Sequence, residues 1–271
     1  MESSEALWQL MGEEMIRAAR TTGVIGFSIL DLGEGKEYSH LGDTVFPTAS
    51  TIKIPILVAL AHQVFRGERA WDQRVPVPRA RAGGSGMLQW LQHVEELSVW
   101  DLASLMIAIS DNVATNICID MVTMEAVNRL LDDLGLSRVR LRRKMMDPEA
   151  VARGDENVAT PTQLTRLMSK LHYQVEIPEP VCHDVLAILR LPKQGPFTEA
   201  LPVEVPRANK PGGLPGASID SGIVYLPRRP YALTVMGTFL EEDRCPAMRG
   251  VVRTAHRYMK LLDESRGYGR R

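Results

Sequence analysis

Phe46-Pro47-Thr48-Ala49-Ser50-Thr51-Ile52-Lys53 runs directly into Ile54-Pro55-Ile56-Leu57-Val58-Ala59-Leu60-Ala61. The second half is almost unbroken apolar sequence, and the span from Ser50 to Phe65 reads as a helix buried on most sides. Ser50 stands at its start. A serine opening a helix lies beside free backbone N–H groups and the positive end of the helix dipole. Both favour an attacking alkoxide and a developing oxyanion. Lys53 follows three residues later, one turn on and on the same face. A lysine so placed can take the serine proton when burial and neighbouring positive charge lower its pKa. Pro55 is tolerated because few backbone bonds are lost so close to a helix start. Taken alone, a Ser-x-x-Lys spacing arises about once by chance in a chain of this length, and a capping serine beside a solvated lysine has the same signature.

On the N-terminal side, Leu7, Trp8, Met11, Met15 and Ala19 share one face of a predicted helix over 4–20. Gly23 ends it. Val24 to Leu30 reads as a strand, Gly33-Glu34-Gly35 as a turn and Lys36 to Leu41 as the return strand. On the C-terminal side the pattern stays helical over Leu88 to Leu97, Val99 to Ile109, Asn112 to Met121 and Met124 to Leu134, which Gly135 stops. Thr160-Pro161-Thr162 opens another helix and Val181 to Leu191 is one more. Strands return at Asp220 to Leu226 and Tyr231 to Phe239, joined through Pro227-Arg228-Arg229-Pro230. The closing helix, Pro246 to Leu262, turns Val251, Val252, Ala255, Tyr258, Met259 and Leu262 inward, and 267–271 reads as a frayed tail. The economical packing is an α/β (α+β) fold in two parts. Residues 1–46 with 193–271 form an antiparallel sheet covered by the N- and C-terminal helices, and 47–192 form an all-helical domain. A cleft between the two is the expected place for an active site.

The 271 residues are 45% hydrophobic and 24% charged, with a net charge of −1. A sizeable core can be buried, and no large field is present to draw nucleic acid or an anionic membrane. The one basic run, Arg138 to Lys144, reads as a strand or loop edge with structural ion pairs. Cys118, Cys182 and Cys245 are far apart and without a CxxC spacing, so buried thiols are expected rather than a disulfide framework. The six histidines show no metal-binding spacing, and most read as surface or satisfied core residues. No segment is apolar for long enough to span a membrane. The first residues lack a positive export region, which fits either a cytoplasmic protein or a trimmed export signal.

Two further elements accompany the Ser-x-x-Lys. Ser110-Asp111-Asn112 sits where one apolar helix ends and the next begins, and Lys210-Pro211-Gly212-Gly213 sits just before strand-like sequence. Each alone is an ordinary cap or loop. In this order and at these wide separations they resemble the three elements of class A β-lactamases and penicillin-binding proteins. The resemblance extends over roughly residues 20–262. It includes the nucleophile segment 46–53, the stretch Ser85-Gly86-Met87-Leu88 and Trp100-Asp101-Leu102 through Asn116, and Asp147 to Pro161 in the place of the omega loop.

The resemblance implies a serine hydrolase acting through an acyl-enzyme, with a β-lactam or related amide or ester as its small-molecule substrate. It implies Ser50 as nucleophile, Lys53 as base or proton relay, and Ser110 as the group passing a proton to the leaving nitrogen. Asn112 would hydrogen-bond a substrate amide, and Lys210 would add positive charge for a substrate carboxylate. The Ser50 and Gly213 N–H groups would form the oxyanion hole, with Gly212 beside them. No metal or organic cofactor is implied, no nucleic-acid or membrane partner, and a monomer suffices. Two features depart from the family pattern. Pro211 replaces a hydroxyl residue that helps to bind the β-lactam carboxylate, and the omega loop is about three residues short. Asp147 or Glu149 stands where a glutamate activates the deacylating water. These departures keep open a related esterase or D-peptide hydrolase, a slowly deacylating penicillin-binding protein, and a binding protein without turnover.

Overall fold

The computed structural model describes residues 3–241, 246–265 and 269; Cys245 and most of the 267–271 tail lie outside them. In chain order the elements begin with helix α1 (Ser3–Ala18) and strands β1 (Val24–Asp31), β2 (Glu37–His40) and β3 (Phe46–Pro47). A short 3-10 turn over Ala49–Ile52 leads into α2 (Lys53–Phe65). Next come β4 (Arg74–Pro76), β5 (Glu96–Ser98), α3 (Val99–Ala108), α4 (Asn112–Val122), α5 (Met124–Asp133), α6 (Pro148–Ala152) and β6 (Val158–Ala159). The chain closes with α7 (Pro161–Tyr173), α8 (Glu179–Leu189), α9 (Pro196–Ala200), β7 (Arg207–Leu214), β8 (Ala217–Val224), β9 (Tyr231–Thr238) and α10 (Pro246–Asp263). Among the described residues no helix is long and apolar enough to cross a membrane. The chain divides into two compact units, residues 1–51, 159–173 and 194–271 in one and residues 52–158 and 174–193 in the other.

The first unit is built on a five-stranded sheet in the order β2-β1-β9-β8-β7, antiparallel throughout. Alternation decides which residues meet which layer. Ile25, Phe27 and Ile29 of β1 join Tyr231, Leu233 and Val235 of β9 in one buried cluster with Trp8, Met11 and Met15 of α1. The closing helix contributes all six residues of its expected inner face to that cluster. The alternate residues form a polar row across the strands, because Lys210 pairs with Ser221, Ser221 with Thr234 and Thr234 with Ser28. Ser221 Oγ and Thr234 Oγ1 lie 2.7 Å apart within it. Helix α7 packs on β1, β8 and β9, and its Thr165 Oγ1 donates to the Ser28 carbonyl at 3.1 Å. Sequence placed α7 inside the helical span 47–192. It belongs with the sheet because Leu164, Leu167, Met168 and Leu171 are all buried, and the sheet offers an apolar surface to cover them.

The second unit is helical. Helix α2 is buried from Lys53 through Ala61, as its all-round apolar sequence requires, with α3, α4, α5 and α8 packed on it. Trp71 and Trp100 meet edge to face at 5.2 Å, and Trp71 Nε1 donates to Asp184 Oδ2 of α8 at 2.7 Å.

Three local expectations change. Leu88 to Leu97 is not a helix. The Arg81 guanidinium gathers the carbonyls of Leu88 and Val94, at 2.5 and 3.1 Å, together with that of Leu91. Those carbonyls point at a side chain instead of along a helix axis. Ser50 lies in the 3-10 turn rather than in α2 itself. Lys210 to Gly213, which reads as a loop, is the middle of β7. Proline and two glycines mask a strand in sequence, and β7 accommodates Pro211 because it is the sheet's edge.

Candidate active site

In the helical unit the Ser-Asp-Asn segment is built around a buried lysine. Lys53 is the first residue of α2 and fully buried. Its Nζ donates to the Ser110 carbonyl at 2.7 Å, to Ser110 Oγ at 3.0 Å and to Asn112 Oδ1 at 3.2 Å. Ser110 offers two oxygens to one amine, and its backbone sits in the left-handed region, φ 58°. That conformation is rare for a residue with a side chain and is stored strain where it occurs. Asp111 caps α4, its Oδ1 accepting from Ala114 N at 2.9 Å. Its Oδ2 accepts from Met87 N at 2.7 Å and Leu88 N at 2.9 Å. Asn112 completes the tie, with Nδ2 donating to the Gly83 carbonyl at 3.0 Å and its backbone N to the Ser85 carbonyl at 3.0 Å. Gly86 is required here, since its φ is 104° and a Cβ would fall 2.3 Å from the Asp111 Cγ. Cys118 is buried nearby. Burial pushes its thiol up to about 12, with a smaller opposite pull from Lys53, so it is a packed side chain and not a nucleophile.

In the sheet unit Ser50 is half-buried in its 3-10 turn, preceded by Ala49 at φ 45°. The turn is closed by Thr51, whose N and Oγ1 both donate to the Thr48 carbonyl, at 3.0 and 2.6 Å. Strand β7 runs against this turn. A Cβ on Gly212 would lie 2.8 Å from both Ser50 N and the Thr48 carbonyl oxygen. Those are backbone atoms that no rotamer change can move. Lys210 is buried in the same strand and its Nζ donates to the Pro211 carbonyl at 2.9 Å. Asp220, paired with Pro211 in register, accepts from Asn209 Nδ2 at 2.8 Å and Phe197 N at 3.0 Å. Gly212→Ala is expected to displace the Ser50 turn and slow acylation by roughly 10²-fold, the scale of a 1 Å misplacement. At Gly213 the nearest atom to an added Cβ is 3.9 Å away, so Gly213→Ala is expected to keep the wild-type melting temperature. Stopped-flow acylation and thermal unfolding of the two variants check this contrast.

The loop bearing Asp147 and Glu149 is fastened to α4, because Met145 N donates to Asn116 Oδ1 at 2.8 Å and Asn116 Nδ2 to the Met145 carbonyl at 3.1 Å. Asp147 caps the short helix α6, Oδ1 accepting from Ala150 N at 2.9 Å. Glu149 is exposed on that helix. The basic run before them is a structural edge, as its sequence suggests. Arg143 pairs with Glu156 at 2.8 Å, Arg140 with Asp132, and Lys144 with Asp120.

A family model described as the Beta-lactamase enzyme family matches residues 12–258. The chain belongs to that family. The crystal structure of a beta-lactamase from Sphaerobacter thermophilus DSM 20745 is 30% identical to it, covers 94% of this chain and 98% of that one, and superposes with a TM-score of 0.85. The structure of PBP-A is 26% identical, with 93% and 96% covered and a TM-score of 0.84. The beta-lactamase regulatory protein BlaB of Streptomyces cacaoi is 27% identical over 146 residues, 51% of this chain and 46% of that protein. The chain spans about half the length of the curated relatives it matches. Within this β-lactamase family chain, sequence reasoning named Ser110 and Asn112 but passed over Asp111, the residue that ties both to the loop before them. The signal available was a helix-capping aspartate downstream of Gly83-Gly84-Ser85-Gly86, glycines that leave room for a carboxylate.

Proposed function

We propose that the chain is a serine β-lactamase-type hydrolase that opens a cyclic amide through an acyl-enzyme on Ser50. The observation that carries this reading is the setting of Lys53. An amine at the first residue of a helix faces the positive end of the dipole, and full burial strips its water. Folding alone gives no reason to place it there. Acceptors held at 2.7 to 3.2 Å compensate it, and two of them belong to Ser110.

In the proposed cycle Ser50 Oγ bonds to the substrate carbonyl carbon while Lys53, as the neutral amine, takes the Oγ proton. The proton passes through Ser110 Oγ to the leaving nitrogen as the C–N bond breaks. The Ser50 and Gly213 N–H groups hold the oxyanion, with Gly212 leaving the space for it. Asn112 binds the substrate's side-chain amide and Lys210 its carboxylate. Water then cleaves the ester. A single chain suffices for every step.

The test mixes the protein with a chromogenic cephalosporin and reads colour and intact mass together. Sustained colour in the wild type, with neither colour nor adduct in Ser50→Ala, is the expected result. An adduct that persists in Ser50→Ala overturns the nucleophile. A second reading, slow deacylation, is favoured by the engagement of Asp147 as a cap and the exposure of Glu149. It gives a single burst of colour with a lasting adduct. Pro211, which offers no hydroxyl, favours an ester or D-peptide substrate, and that reading gives neither signal with the cephalosporin.

A further inference from the structure

The groove between α2 and α5 in the helical unit is not filled. A cavity of about 140 Å³ opens there, with Ala59 of α2 and Ala126 of α5 standing where larger residues would close it. About 10–15 Å³ of such space holds one water, so this volume takes a small organic molecule.

Two polar groups on the wall are open to a ligand, one buried and one exposed. His62 lines the cavity, and its Nε2 is buried without a hydrogen bond. The Arg129 guanidinium, also on the wall, forms no ion pair among the described residues. Their neighbours are engaged. Arg66 bonds Glu68 at 2.6 Å, and Gln63 accepts from Arg69 at 2.8 Å. A buried ring nitrogen left without a partner is costly unless something binds there, and the exposed Arg129 guanidinium on the same wall is available to an anion.

We propose that this cavity binds a small, singly charged organic carboxylate with a compact apolar body. The Arg129 fork matches a carboxylate, and the Nε2–H tautomer of His62 adds a donor. Burial and the adjacent Arg66 hold the His62 ring below the usual histidine range, so it meets the ligand as neutral imidazole. Asp133, one turn beyond Arg129 on the same wall, works against a doubly charged phosphate. Ala59, Ala126 and Leu130 receive the apolar body. The ligand bridges α5 to α2, the helix that starts at Lys53. This site is independent of the proposed acylation chemistry.

Benzoate is the probe, with uncharged benzamide as its isosteric control. The whole chain is titrated with each while melting temperature and the His62 ring resonances, assigned with His62→Gln, are followed. Benzoate is expected to bind saturably with Kd on the order of 1 mM, ordinary for a ligand of this size. It should raise the melting temperature and shift the His62 signals. Benzamide should bind at least about tenfold more weakly, as expected for loss of a charge-assisted pair. Arg129→Gln should weaken benzoate by a similar factor. Ala126→Leu should abolish binding by filling the space, with the unliganded melting temperature unchanged or higher. A response that does not saturate, equal binding of benzamide, or unchanged benzoate binding in Arg129→Gln overturns the proposal. The benzamide and Arg129 arms decide it even if Ala126→Leu fails to fold.

Discussion

Lys53→Ala is expected to slow acylation of Ser50 by roughly 10²–10⁴-fold, the range over which a positioned acid–base group contributes. Non-covalent binding of the same substrate should change far less, because the proposed role lies in proton transfer. The split between the two parameters is the diagnostic. Lys53 also holds Ser110 by both of its oxygens and Asn112 by its amide, so a purely architectural role predicts something different. Loosening Ser110 and Asn112 would weaken binding and acylation together. Lys53→Met, which keeps the apolar stem in its buried slot, separates the effects further. It should match Lys53→Ala in acylation while retaining more stability. Burst kinetics against substrate concentration give both constants. An acylation rate within about threefold of wild type in either variant contradicts the assignment, since such a change is under 1 kcal/mol of barrier.

The parts of this molecule that were legible in sequence are those where one physical rule acts alone. Trp8, Met11 and Met15 in α1, and the whole inner face of α10, follow helical periodicity into the sheet's core. The β8–β9 hairpin follows from β-branched runs around a proline-flanked turn. Where a distant group intervenes, local pattern fails. Residues 88–97 carry a helix-like pattern, yet Arg81 collects their carbonyls. Strand β7 looks like a loop because Pro211 and its glycines suppress strand propensity, although edge position and close approach to Ser50 are what they serve. Helix α7 has a clear apolar stripe, but periodicity does not say which layer will cover it. Most histidines read as surface or satisfied core residues, and His62, whose Nε2 is buried without a hydrogen bond, is not among them. The Lys53, Ser110 and Asn112 cluster of the candidate site was legible at the level of motif spacing. The Lys53–Ser110 contact itself depends on Ser110 adopting a left-handed backbone, which no propensity for serine suggests.

Asp111→Ala is expected to produce the largest loss of stability among the substitutions considered. The side chain is fully buried, and its two oxygens accept from three backbone N–H groups at 2.7 to 2.9 Å. Alanine orphans all three. Losing the cap of α4 costs about 0.5–2 kcal/mol, and hydrogen bonds to a charged acceptor are worth about 1.5–3 kcal/mol each. These bonds share one carboxylate, so the losses do not simply add. A total of about 3–5 kcal/mol fits a broken buried network, or about 6–20 °C of melting temperature for a chain of this size. Asp111→Asn refines the argument. Its remaining oxygen can still cap α4, but its amide then presents N–H groups to the N–H groups of Met87 and Leu88. It is therefore expected to recover the cap's share and little more. Hydrogen exchange should register the difference, with the Met87 and Leu88 amides unprotected in both variants and the Ala114 amide unprotected only in Asp111→Ala. Because Asn112 reaches the Gly83 and Ser85 carbonyls of the same loop, the loop's release should also disturb the acceptor that Asn112 offers to Lys53. Acylation in Asp111→Ala is then expected to fall even well below the melting transition. A melting temperature within about 3 °C of wild type, which corresponds to roughly 1 kcal/mol here, would show that Asp111 does not organise the site.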